Sequence, residues 1–225
     1  MNDKSLVFLD NPKLILEAKN SGNDVLYLIK NELYEGKTDY GGETVEVSKN
    51  VFKTFSSTES SQGLIGVVKL NPKSIAAPIG NFLVMDEIQD PGNAGTLIRS
   101  ALGANFLDIY MLDSVKITND KLLRASMGAI FKTRIYQITK QEFISNFKSW
   151  NKDLYICDMN GNSIYNEQHK TNIGIVVGNE GNGVSTELRN IANYSIKIPM
   201  QNGLESLNAG VSGSIIMYQI QNSSK

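Results

Sequence analysis

From Phe82 to the last residue, short apolar runs alternate with helix-like segments at intervals of roughly 20–30 residues. The runs expected to form strands are Phe82–Met85, Leu107–Leu112, Arg134–Ile138, Leu154–Asp158, Ile173–Val177 and Tyr194–Ile198. Because a helical segment separates most of these strands, they are expected to run parallel under helices on both faces. The pattern therefore predicts an α/β domain over residues 82–225, with ligands bound beyond the carboxyl ends of its strands.

The segments between the strands carry the helical patterns. Helices are expected over Thr96–Leu102, where Gly103 ends the pattern, over Asp120–Ala129, along one face formed by Phe143, Ile144, Phe147 and Trp150, from Ser185, and from Ser206-Leu207-Asn208 onward. Trp150 is predicted to anchor the core.

Residues 1–70 have the pattern of a separate small α/β domain. Strands are expected at Leu6–Leu9, Val25–Ile29, Thr44–Val47 and Leu64–Val68, with helices from Pro12 to Ser21 and around Val51–Phe55. Residues 71–81 contain two prolines and no periodicity, which predicts a linker between the two domains.

Composition limits the class of protein. Hydrophobic residues make up 41% and charged residues 20% of the 225 residues, as in globular proteins. No run approaches the roughly 18 apolar residues of a membrane span, and the N-terminal stretch lacks the features of a signal peptide, so a cytoplasmic protein without membrane association is expected. The single cysteine, Cys157, is expected to be buried and inert. The net charge of −1 argues against binding to nucleic acid through bulk electrostatics, so such a role needs a shaped site.

Three polar loops follow apolar runs, and the first of them is Asp86–Gly95. Gly92 and Gly95 flank Asn93, which predicts a tight turn with Asn93 near the start of a helix, where it would serve as a cap. Arg99 follows in the first turns of that helix, where the helix dipole disfavours a cation. Arg99 is therefore expected to have an anionic partner, either a structural carboxylate or a ligand.

The second loop, Gly178–Gly183, follows a buried apolar run. Its glycines are spaced G-x-x-G-x-G, unlike the G-x-G-x-x-G of a dinucleotide site, and it has no Walker A lysine. Glu180 would repel a pyrophosphate. It is expected to orient an arginine or a substrate amide, with a solvated loop acid as the alternative.

The third loop follows the strand that Pro199 ends. Ser206 and Asn208 stand where the last helix opens, and helix capping accounts for one of these side chains but hardly for both. His169, the single histidine, is expected at the surface, and no second ligand stands at metal-binding spacing, so no metal is predicted.

Together the three loops resemble the signature motifs of the SpoU-type RNA ribose 2′-O-methyltransferases, within the SPOUT superfamily. The matching stretches are DPGNAGTLIRSA, IVVGNEGNGVS and IKIPMQNGLESLN, and Leu123–Ala129 resembles a segment that the family carries between its first two motifs. The resemblance spans residues 82–220.

The resemblance implies a C-terminal α/β domain with a deep trefoil knot, an exception to the usual unknotted connectivity. It further implies a homodimer and a small N-terminal domain, similar to a ribosomal protein, that binds RNA. S-adenosylmethionine would be held largely through the backbone by Gly178, Gly181, Ile198, Met200 and Leu207. The catalytic group would be Asn93, Arg99, Glu180, Ser206 and Asn208.

The activity that the resemblance implies is methyl transfer from S-adenosylmethionine to a ribose 2′-hydroxyl of RNA, with rRNA expected before tRNA. Arg99 would clamp a phosphate and stabilise the developing alkoxide. Two alternatives stay open: an inactive RNA- or ribosome-binding protein on the same scaffold, and a nicotinamide-dependent enzyme, which the glycine spacing disfavours.

Overall fold

The strands of the protein form two separate sheets in a computed structural model that describes residues 5–56, 61–71, 73–166 and 171–223. The larger sheet has six strands in the order β10-β8-β9-β5-β6-β7. Its strands are β5 (Phe82–Asp86), β6 (Asp108–Leu112), β7 (Arg134–Ile138), β8 (Asp153–Ser163), β9 (Ile173–Gly178) and β10 (Tyr194–Lys197). Every pair in this sheet is parallel, which confirms the prediction from the apolar runs.

The smaller sheet has four strands in the order β1-β4-β2-β3. They are β1 (Leu6–Leu9), β2 (Asp24–Asn31), β3 (Glu43–Val47) and β4 (Leu64–Lys69). All four strands expected in this region are present.

Eight helices lie in the described parts of the chain. They are α1 (Pro12–Asn20), α2 (Lys49–Phe55), α3 (Pro91–Gly103), α4 (Asp120–Ala125), α5 (Ala129–Lys132), α6 (Lys140–Phe147), α7 (Thr186–Arg189) and α8 (Ala209–Ser223). None of the described helices has the length and apolar character needed to cross a bilayer.

The first loop was expected to be a tight glycine turn with Asn93 as the cap of the following helix. Asn93 does lie near the start of a helix, but the turn is wrong and the cap is Asp90. The helix α3 begins at Pro91, with the Asp90 side chain accepting a hydrogen bond from the Asn93 amide at 2.8 Å. An aspartate cap followed by proline is a strong start signal, and it outweighs the low helix propensity of Gly92 and Gly95. Gly95 has a packing reason to be in the helix, since a Cβ there would lie 2.4 Å from the Cβ of Ala125.

Two other helices differ from their expected bounds. The helix expected over Asp120–Ala129 is divided into α4 and α5, because Met127 and Gly128 adopt positive φ values of 50° and 84°. The last helix begins at Ala209, just after Asn208, instead of opening at Ser206.

The six-stranded sheet separates two apolar layers. On one face, Phe82, Tyr110 and Phe143 form an aromatic cluster, and Trp150 packs there with its ring centroid 5.1 Å from that of Tyr110. Trp150 lies beyond the end of α6, yet it anchors the core as predicted. The other face is covered by α3 and α8.

The two sheets are joined through α1 and α5. The Lys132 ammonium lies 2.8 Å from the Glu17 carboxylate, and a Cβ on Gly128 would lie 3.3 Å from Leu14. Buried residues of the smaller sheet belong to the same apolar cluster as Phe131 of α5. The N-terminal elements therefore pack directly against the α/β core.

A bidentate ion pair fixes the starts of β6 and β7. Asp108 is 1% exposed, and its carboxylate accepts from Arg134 Nε at 2.6 Å and from Arg134 Nη2 at 2.8 Å. The Ile79 amide donates to the same carboxylate at 3.0 Å. This charge is buried but fully paired.

Replacing Arg134 with methionine is expected to lower the free energy of unfolding by about 3 kcal/mol, because the buried Asp108 carboxylate would lose its counter-ion. Urea unfolding followed by circular dichroism measures the change. The matched control is Lys121→Met, which removes an exposed pair with Asp90 at 3.6 Å and is expected to cost less than about 1 kcal/mol. Equal losses in the two variants would contradict the prediction.

Candidate functional site

The strand order reverses between β5 and β9, so the loops after these two strands lie side by side. Asp86 at the end of β5 is the register partner of Gly178 at the end of β9. The two loops also touch, because Asn93 Nδ2 donates to Glu180 Oε1 at 2.6 Å. In open α/β sheets ligands bind at such a switch point. Glu180 therefore orients the Asn93 side chain. It contacts no arginine among the described residues.

Arg99 lies in the third turn of α3, further from the helix start than expected, because α3 begins at Pro91. Its side chain is exposed. Within the described parts of the chain, it makes neither a hydrogen bond nor an ion pair. No described carboxylate is its structural partner, so the guanidinium is available to an anionic ligand.

The second loop folds back on itself tightly. A Cβ on Gly178 would lie 2.3 Å from the main chain of Gly183 and Val184, a separation that only glycine allows. Asn179 closes the turn, with its Oδ1 accepting from the Gly181 amide at 2.9 Å. Glu180 and Gly181 are exposed at the tip of this loop.

The third loop borders a cavity of about 340 Å³ at the carboxyl end of β10. Three residues expected to contact a cofactor, Ile198, Met200 and Leu207, line this cavity, as does Ser206. Gly178 and Gly181 do not line it. The remaining walls come from β8, from α8 and from the strand end, at Cys157, Asp158, Met159, Ile196, Lys197, Pro199, Glu205, Ser212 and Ile216.

The cavity combines apolar walls with free main-chain donors. In the described chain, the amides of Ile198, Met200 and Leu207 donate to no other group. Cys157 was expected to be buried, but it is half-buried in the cavity wall. Burial raises the pKa of its thiol to about 12, which makes it unreactive. The Asn160 amide, followed by Arg189, lowers the pKa of Asp158, which keeps one carboxylate charged at the rim.

The last helix brings the third loop to α3. Asn208 caps α8, with its Oδ1 accepting from the Val211 amide at 3.2 Å. A Cβ on Gly210 would lie 3.2 Å from Asn208 Oδ1 and 3.2 Å from Thr96 Cβ. Asn208 is therefore close to α3, at Thr96, which lies about one helical turn before Arg99. The Ser206 hydroxyl is exposed and caps nothing in the described chain, so capping accounts for only one of the two side chains, as expected.

The model of the SpoU rRNA Methylase family matches residues 80–218, a range that contains all three loops. This chain belongs to the SpoU rRNA methylase family.

Two curated relatives illustrate the family membership. The chain is 26% identical over 217 residues to the 23S rRNA (guanosine(2553)-2′-O)-methyltransferase RlmP of Bacillus subtilis, covering 95% of this chain and 87% of that protein. It is 30% identical over 183 residues to the 23S rRNA (adenosine(1067)-2′-O)-methyltransferase of Streptomyces laurentii, covering 77% of this chain and 66% of that protein.

A solved structure has the same fold over nearly the whole chain. The AdoMet-bound rRNA methyltransferase from Sinorhizobium meliloti matches with a TM-score of 0.86 at 21% identity, covering 98% of this chain and 88% of that one. The match includes the four-stranded N-terminal sheet, because it leaves almost none of the chain outside. The chain thus shares its fold with that methyltransferase over both sheets.

Four polar residues around the loops and the cavity were not expected from the sequence. Asp86, Lys140 and Asn179 form polar contacts behind the second loop, and Asp158 borders the cavity. Asp86 could have been found from the sequence, because it is a charged residue at the end of a fully apolar run. Nothing in the sequence around Lys140 indicates its contact with Asp86. His169 lies outside the described residues. The described residues contain no grouping of three or more His, Cys, Asp or Glu side chains that could hold a metal ion.

Proposed function

We propose that this SpoU-family chain is an S-adenosylmethionine-dependent methyltransferase that acts on a ribose 2′-hydroxyl of RNA, with rRNA as its substrate. The observation that carries the proposal is the exposed Arg99 guanidinium. It has no described partner and lies on the helix that also contacts Glu180 and the Asn208 cap. The two relatives named as 23S rRNA 2′-O-methyltransferases support the same activity and substrate.

The cavity beside the third loop fits the cofactor. Its apolar walls suit an adenine ring, and the free amides of Ile198, Met200 and Leu207 suit the ring's acceptor edge and the ribose oxygens. Gly178 and Gly181 are assigned to the cofactor on motif position alone. When bound, S-adenosylmethionine supplies an electrophilic methyl group on a positively charged sulfur.

The catalytic group acts through positioning and charge. Arg99 binds an RNA phosphate through its planar fork and stabilises the alkoxide that develops at the 2′-oxygen, and the hydroxyl proton leaves to that phosphate or to water. Asn93, oriented by Glu180, and Ser206 hold the ribose. The Asn208 Oδ1 is engaged in its helix cap, so its Nδ2 remains as a donor. Holding two reactants in line contributes up to about 7–11 kcal/mol.

The domain organisation is part of the proposal. Residues 1–70 form a small ribosomal-protein-like domain that binds RNA. Residues 71–81 link it to the methyltransferase domain, residues 82–225, which carries a deep trefoil knot. The path of α8 supports the knot, because it returns from the edge strand β10 to pack on α3 and Val177 of β9.

A homodimer and a cytoplasmic location complete the proposal. Val211 and Tyr218 lie two turns apart on α8 and are exposed, which suits a self-complementary helix contact between two copies. The proposed ribosomal substrate supports a cytoplasmic location.

Calorimetric titration with S-adenosylmethionine and methyl transfer to total rRNA and to tRNA test the function together. We expect saturable binding and a 2′-O-methylated nucleoside recovered from digested rRNA. Binding without transfer to either RNA would contradict the activity. Absence of binding would favour an inactive scaffold.

A further inference from the structure

A buried carboxylate holds the far end of the second loop. Asp86 is 1% exposed, and its Oδ2 accepts from the Ser185 amide at 2.7 Å. Its Oδ1 lies 3.4 Å from the Lys140 ammonium and accepts no hydrogen bond from the described protein atoms. Burying this ion pair is expensive, and apolar residues of similar size would stabilise the chain as well or better. A purely structural explanation of Asp86 is therefore weak.

Glu87 connects the same lysine to the near end of the loop. Its Oε1 accepts from Lys140 Nζ at 2.6 Å, and its carbonyl accepts from Asn179 Nδ2 at 3.0 Å. Glu87 has a φ of 58°, a conformation that a residue other than glycine rarely adopts. Burial alone would lower the pKa of Lys140, but the Glu87 hydrogen bond and the two carboxylate charges raise it, so the lysine stays charged.

Asn179 transmits this anchoring to the loop itself. While its Nδ2 donates to the Glu87 carbonyl, its Oδ1 accepts from the amides of Gly181 and Asn182 at 2.9 and 3.2 Å. These two amides follow Glu180 directly. The loop is thus fixed on both sides of Glu180, by Asn179 before it and by the Asp86–Ser185 contact after it.

We propose that Asn179 and Asp86 are positioning residues that hold the second loop so that Glu180 stays hydrogen-bonded to Asn93. The inference rests on the proposed function, since it concerns the same catalytic group. Glu180 is exposed, and Asn93 is its one described side-chain partner. A further contact, from the Gly183 amide to the Asn179 carbonyl at 2.8 Å, lies within the loop and does not tie it to the sheet. Without the anchors, the loop would therefore carry the carboxylate away from Asn93.

The variant Asn179→Asp tests the first anchor. It keeps an acceptor for the two amides but replaces the Nδ2 donor with a carboxylate that faces the Glu87 carbonyl. We expect kcat for methyl transfer to fall by about 10- to 100-fold, as for a displacement of about 1 Å. The control is Asn182→Asp, which adds the same charge to the same loop at an exposed side chain that makes no hydrogen bond or ion pair in the described chain. We expect a change in kcat within about twofold.

A double-mutant cycle separates positioning from general loosening. If Asn179 acts through Glu180, the change Asn179→Asp will alter kcat by less than about twofold in a Glu180→Ala background. Asp86→Asn keeps an acceptor for the Ser185 amide but removes a negative charge beside Lys140. Its effect on kcat is likewise expected to disappear in the Glu180→Ala background. An undiminished effect in the Glu180→Ala background would overturn the inference.

Hydrogen exchange gives a readout that does not depend on activity. We expect the amides of residues 180–185 to exchange faster in Asn179→Asp than in Asn182→Asp, with equal urea midpoints. Equal exchange in the two variants would overturn the anchoring even if the wild-type chain methylates RNA. Absent methyl transfer by the wild type would contradict the proposed function, whereas faster exchange would still support the anchoring.

Discussion

Replacing Arg99 with lysine is expected to reduce methyl transfer at saturating RNA and S-adenosylmethionine by about 100- to 1,000-fold, the cost of removing one donor aimed at a developing oxyanion. Lysine keeps the positive charge but lacks the planar fork that binds a phosphate at two points. Because Arg99 is exposed and unpartnered in the described chain, the free energy of unfolding should change by less than about 0.5 kcal/mol. Single-turnover transfer of a labelled methyl group measures the rate.

The control is the same substitution at Arg134, whose fork binds a buried carboxylate far from the loops. Arg134→Lys should lower stability and leave the saturated rate within about twofold of wild type at a temperature where the variant is folded. A near wild-type rate for Arg99→Lys would remove Arg99 from the chemistry.

Replacing Gly178 with alanine is expected to abolish measurable methyl transfer and to lower the free energy of unfolding by about 1–3 kcal/mol. The new Cβ would lie 2.3 Å from the carbonyl carbon of Gly183 and the nitrogen of Val184, and both are main-chain atoms that cannot rotate away. The loop must open to relieve this overlap, which would separate Glu180 from Asn93. Transfer assays and urea unfolding measure the two effects.

Gly80→Ala is the matched control, since a Cβ there meets nothing within 4 Å. Its activity and stability should be close to those of the wild type. Retained methyl transfer in Gly178→Ala would show that closure of the second loop is not needed for catalysis.

The parallel sheet was predictable because its strands are buried on both faces. Runs such as Phe82–Met85 and Ile173–Val177 are continuously apolar, and only a covered strand needs that composition. The sequence placed Asn93 and Glu180 in loops at the carboxyl ends of two parallel strands. That these two strands are neighbours, which brings the two side chains into contact, is seen only in the structure.

Other features depended on tertiary contacts that no local pattern encodes. The start of α3 was misplaced because Gly95 looks like a helix breaker, although its close approach to Ala125 is the reason for its presence. The break between α4 and α5 combines Gly128 with Met127, a residue type that rarely takes a positive φ. Lys140 reaches Asp86 from a distant helix, so its role could be found only in three dimensions.

The seam between α3 and α8 leaves almost no space. A Cβ on Gly213 would lie 2.4 Å from Leu97, and the hydroxyls of Ser100 and Ser214 are 2.7 Å apart. Two helices packed at this separation are expected to move together, so the distance between the Arg99 guanidinium and the cavity wall at Ser212 and Ile216 of α8 is set when the polypeptide folds. The entropic cost of aligning α3 with α8 is then met during folding and not at each binding event. An RNA substrate therefore meets a preorganised surface, to which its own backbone must adjust.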